Sequence, residues 1–265
     1  MARTTGIRFT SLLMAALFVT VSCAATEKSS DSKPPTDFEI RYSHVWSAAR
    51  GIDLFSRGAE LVRATREAEW YSNFVGRKNS YPGFEQAYPA WDDPLNTSDN
   101  LMPLKPPRRS LKSGPPAGRT YYMHLVNLIQ DDHKVSATFC DYHVDPQIDW
   151  YEYPEDQGQY KFGGTIDVQL TNGDAEPGHP GKVDTNPDTT DPNSHMPPKR
   201  DIFQNWNITR FYARAYQDSS KECGDWLHKQ FPAFETSSNG GYLLPTREQI
   251  PTAPSRPQFP DWIDS

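Results

Sequence analysis

Proline sets the first limit on what this chain can become. Twenty-four of its 265 residues are proline, and most of them crowd into a few stretches. Residues 79–118 hold eight and residues 171–200 hold six. Proline lacks an amide hydrogen and fixes φ, so helix interiors and central strands exclude it. Regular structure is therefore confined to the windows between those stretches. A hydrophobic content of 36% fills one core of moderate size rather than two.

The N-terminus carries a second strong pattern. Arg3 and Arg8 precede the apolar run Leu12–Val21, which has secretory length and is too short for a comfortable membrane span. The run leads into Thr20-Val21-Ser22-Cys23 and then a polar stretch containing Ser and Pro. This pattern resembles a bacterial lipobox, although Thr20 stands where an aliphatic residue is usual. The resemblance implies that residues 1–22 are a removed signal peptide and that Cys23 carries a thioether-linked diacylglycerol. Residues 23–37 are then a flexible tether, and the protein sits on the outer face of the cell membrane. Two or three acyl chains anchor firmly, at about 0.8 kcal/mol per buried CH₂.

Cysteine arithmetic fits that expectation. With Cys23 lipidated, Cys140 and Cys223 remain as an even pair in an oxidising compartment, and a disulfide is expected. Two unpaired buried thiols are the alternative. Neither cysteine belongs to a CxxC motif, so zinc and thioredoxin chemistry gain no support. The formal charge is −7, and losing Arg3 and Arg8 with the signal makes the mature chain more acidic still. No Lys/Arg cluster is present, which argues against a nucleic-acid partner.

Between the breaks, residues 38–78 read as helical. Leu61, Ala64, Ala68, Tyr71 and Val75 recur at spacings of three and four, the period of one buried helical face. Arg63, Arg66, Glu67 and Glu69 fall largely outside that stripe. Gly51 and Gly58 divide the segment into a short helix near 42–50 and a longer one from about 54 to 76, with Gly76 as C-cap. A helical turn is expected near Phe84–Tyr88. Residues 120–130 and 134–144, rich in β-branched and aromatic side chains, read as a hairpin turning at Gln130–His133. Two further strands are expected within 147–170 around a turn at Glu155–Gly158, and another within 201–217. Lys221–Phe231 reads as a short closing helix or turn. Residues 79–118 read as a wrapping loop and residues 171–200 as a mobile one. One domain over 38–232 is followed by a Pro-rich tail, 233–265, with Trp262 as a docking anchor.

Helices followed by strands describe an α+β fold: N-terminal helices packed on a curved antiparallel sheet, with long Pro-rich loops. The hairpin ending in Ala137-Thr138-Phe139-Cys140-Asp141, the later Trp206-Asn207-Ile208 and the C-terminal cysteine resemble the cone-shaped nuclear transport factor 2-like superfamily. The segments Val62-Arg63-Ala64-Thr65 and Ser80-Tyr81-Pro82-Gly83-Phe84 resemble uncharacterised lipoproteins of mycobacteria and their actinobacterial relatives. Such a fold hosts both enzymes and inert scaffolds, so it fixes no function by itself.

Candidate chemistry is sparse. On a strand, Val135, Ala137, Phe139, Asp141, His143 and Asp145 share one face. Asp141 and His143 at the end of an apolar pocket would suit general acid–base catalysis, as the cone-fold resemblance implies for residues so placed. The simpler reading, preferred here, leaves them at a solvated strand end before Pro146. Asp184, Asp188 and Asp191, with Asn186 and Asn193, offer oxygen ligands, but EF-hand spacing is absent and a solvated acidic loop is preferred. His179 and His195 flank that loop without HxxxH or HExxH spacing, so no metal is expected. GxSxG, GxGxxG and P-loop motifs are absent, and no cofactor is expected. Ser43-His44 is adjacent in sequence, which does not make a dyad. Trp150-Tyr151-Glu152-Tyr153 could line a groove or a carbohydrate platform, although sheet packing explains it as well.

Two functions follow. The favoured one is a non-catalytic envelope lipoprotein presenting a binding or accessory domain to an envelope protein, lipid or glycan. The alternative is a cone-fold small-molecule enzyme or carrier using Asp141 and His143.

Overall fold

The structure is a computed structural model that describes residues 42–88, 119–142, 164–173, 175–184, 197–214, 220–230, 232, 235–236, 242–243 and 256–263. A five-stranded sheet runs in chain order: β1 (Tyr42–Ala48), β2 (Arg119–Gln130), β3 (Lys134–Tyr142), β4 (Gly164–Thr171) and β5 (Asn207–Ala213). Neighbours from β2 to β5 pair antiparallel, whereas β1 pairs parallel with β2. The sheet is thus mixed, which corrects the expectation of a wholly antiparallel one.

The difference originates in residues 42–50, expected as a short helix and found as β1. Two-residue alternation prevails there over helical spacing, because His44 and Trp46 turn inward and are almost fully buried. Parallel pairing needs a crossover of a dozen residues or more. Helix α1 (Arg57–Val75) lies within that crossover.

Helix α1 starts where Ser56 caps it, the Ser56 Oγ accepting from the Ala59 amide at 3.3 Å. It ends at Gly76, whose φ of 83° suits glycine and whose amide donates to Ser72 O. Leu61, Ala64 and Ala68 are buried as the stripe predicted, with Tyr71 and Val75 half-buried. The polar side departs from prediction. Arg63, Arg66, Glu67 and Glu69, read as lying outside the buried stripe, are all buried. Arg66 is covered from β3, where it meets Asp141, and it holds Glu69, whereas Arg63 and Glu67 are covered by a second layer. Residues 177–181, 200–202 and 258–262 reach the polar side of α1 with backbone and side-chain hydrogen bonds. Pro177 O, for example, accepts from both Arg57 Nε and Trp206 Nε1. The described part of the 171–200 loop is therefore tied to α1 at Pro177, Gly181 and Arg200, although much of it is exposed.

The opposite face of the sheet receives α3 (Lys221–Gln230), near the expected closing helix. Cys223 on α3 is bonded to Cys140 on β3, with Cα atoms 5.3 Å apart. Trp226 stacks on His124, the cross-strand partner of Cys140, at 5.3 Å between ring centroids. Cys140 alternates with Phe139 and Asp141, whose side chains face α1, so α3 and α1 sandwich this end of the sheet.

Smaller features match the sequence closely. The β2–β3 turn is held by Asp131, whose Oδ1 accepts from the His133 and Lys134 amides. A single helical turn, α2 (Phe84–Ala87), stands where one was expected. A register shift between Leu125 and Asn127 moves the inward positions of β2 from odd to even numbers. Gln130 consequently turns towards α1, and its Oε1 accepts from the Gly58 amide at 2.8 Å. A Cβ on Gly58 would lie 2.2 Å from that oxygen, so a larger residue there would displace the Gln130 amide. The pair β6 (Glu235–Thr236) and β7 (Tyr242–Leu243) forms a separate short ribbon. Residues 256–260 run beside β1. The Trp46 amide donates to Phe259 O and the Phe259 amide to His44 O, which covers the outer edge of the sheet. Among the described residues no helix is long and apolar enough to cross a membrane.

Candidate functional site

The chemistry-bearing side chains gather on α1 because residues three and four apart share a helical face. Glu60, Arg63 and Glu67 share one face and Arg66 and Glu69 another, and each is engaged differently.

Asp141 reaches the helix from β3. Its inward orientation follows from strand alternation with Phe139, and its burial corrects the preferred reading of a solvated strand end. Its surroundings do not match an open acid–base pocket. The Asp141 Oδ2 accepts from Arg66 Nη2 at 2.7 Å, and Arg66 Nη1 donates to Glu69 Oε2 at 2.7 Å. Burial opposes the Arg66 charge, but Asp141 and Glu69 outweigh that effect and its pKa rises. Asp141 is 8% exposed, and the same Arg66 guanidinium lies over the Trp70 ring. The carboxylate is thus committed to an ion pair. His143 and Asp145 lie outside the described residues.

Glu67 is the most densely bonded group among those described. Trp46 Nε1 donates to its Oε1 at 2.8 Å. Its Oε2 accepts from Tyr81 OH at 2.9 Å, Gln258 Nε2 at 3.1 Å and Trp262 Nε1 at 2.6 Å. Complete burial pushes its pKa up, while Arg63 and the donors Trp262, Tyr81 and Trp46 pull against that rise. Four donors around one carboxylate satisfy its acceptor capacity without leaving a site for a reactant.

Glu60 completes a third cluster. It takes hydrogen bonds from Arg57 Nη1, Arg200 Nη2 and the Gly181 amide. Beside it a shallow cleft of about 10 Å³, room for about one water molecule, is lined by Glu60, Arg63, Lys182, Arg200, Asp261 and Trp262, among others. Arg63 lies over the Trp262 ring at 4.6 Å.

The remaining predicted residues separate. Cys140 and Cys223 are joined. Cys23, the 150–153 run, Asp188, Asp191, Asn186, Asn193 and His195 lie outside the described residues. Asp184 was read as part of a solvated acidic loop and is instead 4% exposed, its Oδ2 accepting from the Asp261 amide. Among the described residues no three His, Cys, Asp or Glu side chains converge as metal ligands would. Ser43 and His44 point to different partners, Ser43 to Thr120 and Arg256 O. Sequence reasoning missed Glu60, Arg63 and Glu67. The available signal was a long helix whose charged residues outnumber what a simple amphipathic face requires. Compared with known proteins, the chain matches no family model, no curated protein and no solved structure.

Proposed function

We propose that this protein is an exported lipoprotein, anchored to the outer face of the cell membrane through Cys23, that acts by binding rather than by catalysis. Residues 1–22 are its signal peptide and 23–37 its tether. Residues 38–232 are its single domain, in which the sheet curves around α1 in a cone, and residues 233–265 form the tail. One observation carries the reading: the bond between Cys140 and Cys223 leaves Cys23, directly behind the apolar run, as the one cysteine available for lipid. The disulfide is consistent with an oxidising compartment. The resemblance to actinobacterial envelope lipoproteins supports the same reading. Its partner is an envelope protein, a lipid or a glycan.

An acid–base centre at Asp141 and His143 is disfavoured, because Asp141 is held by Arg66. The decisive experiment expresses the full chain in a bacterial host and measures the intact mass and detergent-phase partitioning. Diacylglycerol on an N-terminal Cys23, lost with Cys23→Ser, is the expected result. A chain cleaved elsewhere and carrying no lipid overturns the reading.

A further inference from the structure

The stretch 256–263 is held by the body as an extended peptide is held by a receptor. Its backbone adds to the edge of β1. The Phe259 amide donates to His44 O at 2.9 Å, and Phe259 O accepts from the Trp46 amide at 2.7 Å. Upstream, the Arg256 amide donates to Thr120 Oγ1 at 2.8 Å, and Ser43 Oγ donates to Arg256 O. Alternate side chains then enter the body. Gln258 is 4% exposed, its Nε2 donating to Glu67 Oε2 and its Oε1 accepting from the His44 amide. Pro260 is buried, and its carbonyl accepts from Arg63 Nη1 at 3.3 Å. Trp262 Nε1 donates to Glu67 Oε2. Main-chain bonds on a sheet edge, with seats for every second side chain, are how strand-adding peptides gain affinity and specificity.

The seat belongs to earlier parts of the chain: β1, β2, α1, Tyr81 and Asp184, whose Oδ2 accepts from the Asp261 amide. Emptied, it would leave the β1 edge unpaired and Glu67 with Trp46 and Tyr81 but without Gln258 and Trp262. Both losses are costly, so an emptied seat calls for a segment of the same chemistry. That chemistry is an extended strand with an amide side chain and an indole four positions apart and a proline midway. The stretch 256–263 has it, and every copy of the chain carries one. Pro257 and Pro260 fix φ within the segment and reduce the freedom it loses on docking. Residues 244–255, which join it to β7, number twelve and include three prolines. Twelve residues reach up to about 40 Å when extended, far enough for a neighbouring copy. An exchanged segment makes the same contacts as the copy's own, so the two arrangements differ in effective concentration and not in bonding.

We propose that the seat between the β1 edge and the Glu67 face of α1 is a peptide-binding site for the C-terminal segment of a second copy of this chain, which exchanges with the copy's own. A reciprocal exchange places Gln258 and Trp262 of each chain against Glu67 of the other and closes a symmetric pair. The inference goes beyond the envelope role proposed above and makes no use of the anchor, so lipidation of Cys23 and segment exchange can fail separately.

The test uses full mature chains, residues 23–265 with Cys23→Ser. One carries Val45→Cys and the other, distinguished by a mass tag, carries Phe259→Cys. These two positions are partners in the parallel bridge beside β1. The chains are mixed, incubated and oxidised, and intact mass without reduction counts the linked heterodimers. The expected yield is roughly tenfold or more above that of a control mixture with Ile129→Cys in place of Val45→Cys, Ile129 being 65% exposed and outside the seat. An excess of the synthetic peptide 254–265 should suppress the heterodimer, and the same peptide with Trp262→Ala should not. Sedimentation of the chain carrying Cys23→Ser alone guards against a folding defect in the cysteine variants. A dimer that grows with concentration and dissolves on adding the peptide is expected. A heterodimer yield equal to the control, indifference to the peptide, equal suppression by the Trp262→Ala peptide, or a monomer at every concentration would each overturn the proposal.

Discussion

Trp262 Nε1 donates a 2.6 Å hydrogen bond to Glu67 Oε2 across 195 positions of the chain. The bond ties the C-terminal segment to the middle of α1, and Gln258 adds a second tie to the same oxygen. Gln258 Oε1 also accepts from the His44 amide at 2.6 Å, so the segment, β1 and the helix share one polar junction.

Trp262→Phe keeps an aromatic ring against Arg63 and removes the indole donor. Glu67 then has one fewer hydrogen bond in a site without water access. A loss of about 1–3 kcal/mol follows from leaving a buried acceptor less satisfied. Urea unfolding should show a lower midpoint with an unchanged slope. An unchanged midpoint would mean that the junction contributes little.

Asp141→Asn tests the ion pair. It replaces a carboxylate that meets Arg66 at 2.7 Å. Breaking a buried pair costs about 3–5 kcal/mol, and the lower end applies because Glu69 still holds Arg66. If Asp141 were an acid–base group in an open pocket, the same change would leave stability nearly intact. Denaturant unfolding of the variant separates these outcomes.

The Cys140–Cys223 bond closes a loop 83 residues long in sequence separation and pins α3 to the sheet. Replacing both cysteines by serine should lower stability by about 4–5 kcal/mol in the chain-entropy description. Trp226 reports the local consequence. Its stacking on His124 depends on where α3 sits, so its fluorescence should change before global unfolding in the variant.

The sequence made local structure legible and left the polar layer hidden, for a physical reason. The Gly76 end of α1, the turn at Gln130–His133 and the hairpin are set by neighbours within a few residues, and those were readable. The β1 strand was missed because seven residues with Trp and His fit either period, and only pairing with β2 decides between them. The polar residues of α1 were misjudged because Arg63 and Glu67 are buried by residues about 200 positions away, notably Pro260 and Trp262. No local pattern announces such a cover. The inward direction of Asp141 was readable from strand alternation, whereas its partner Arg66 was not.

His124 offers a pH test of the α3 side. Its ring stacks on Trp226, and its Nδ1 lies 2.8 Å from Ser47 Oγ. Burial lowers its pKa below the ordinary 6.5, and the Lys229 charge lowers it further. A lowered pKa means that the folded state binds fewer protons than the unfolded state between the two values. Stability therefore rises with pH across that window. The contribution is fully present above 6.5 and is lost as pH falls through the folded value. Proton NMR of the imidazole should give a midpoint below 6.5, and Lys229→Gln should raise it part of the way back, since burial remains. A midpoint at or above 6.5 would show that burial and Lys229 do not govern the titration of this ring.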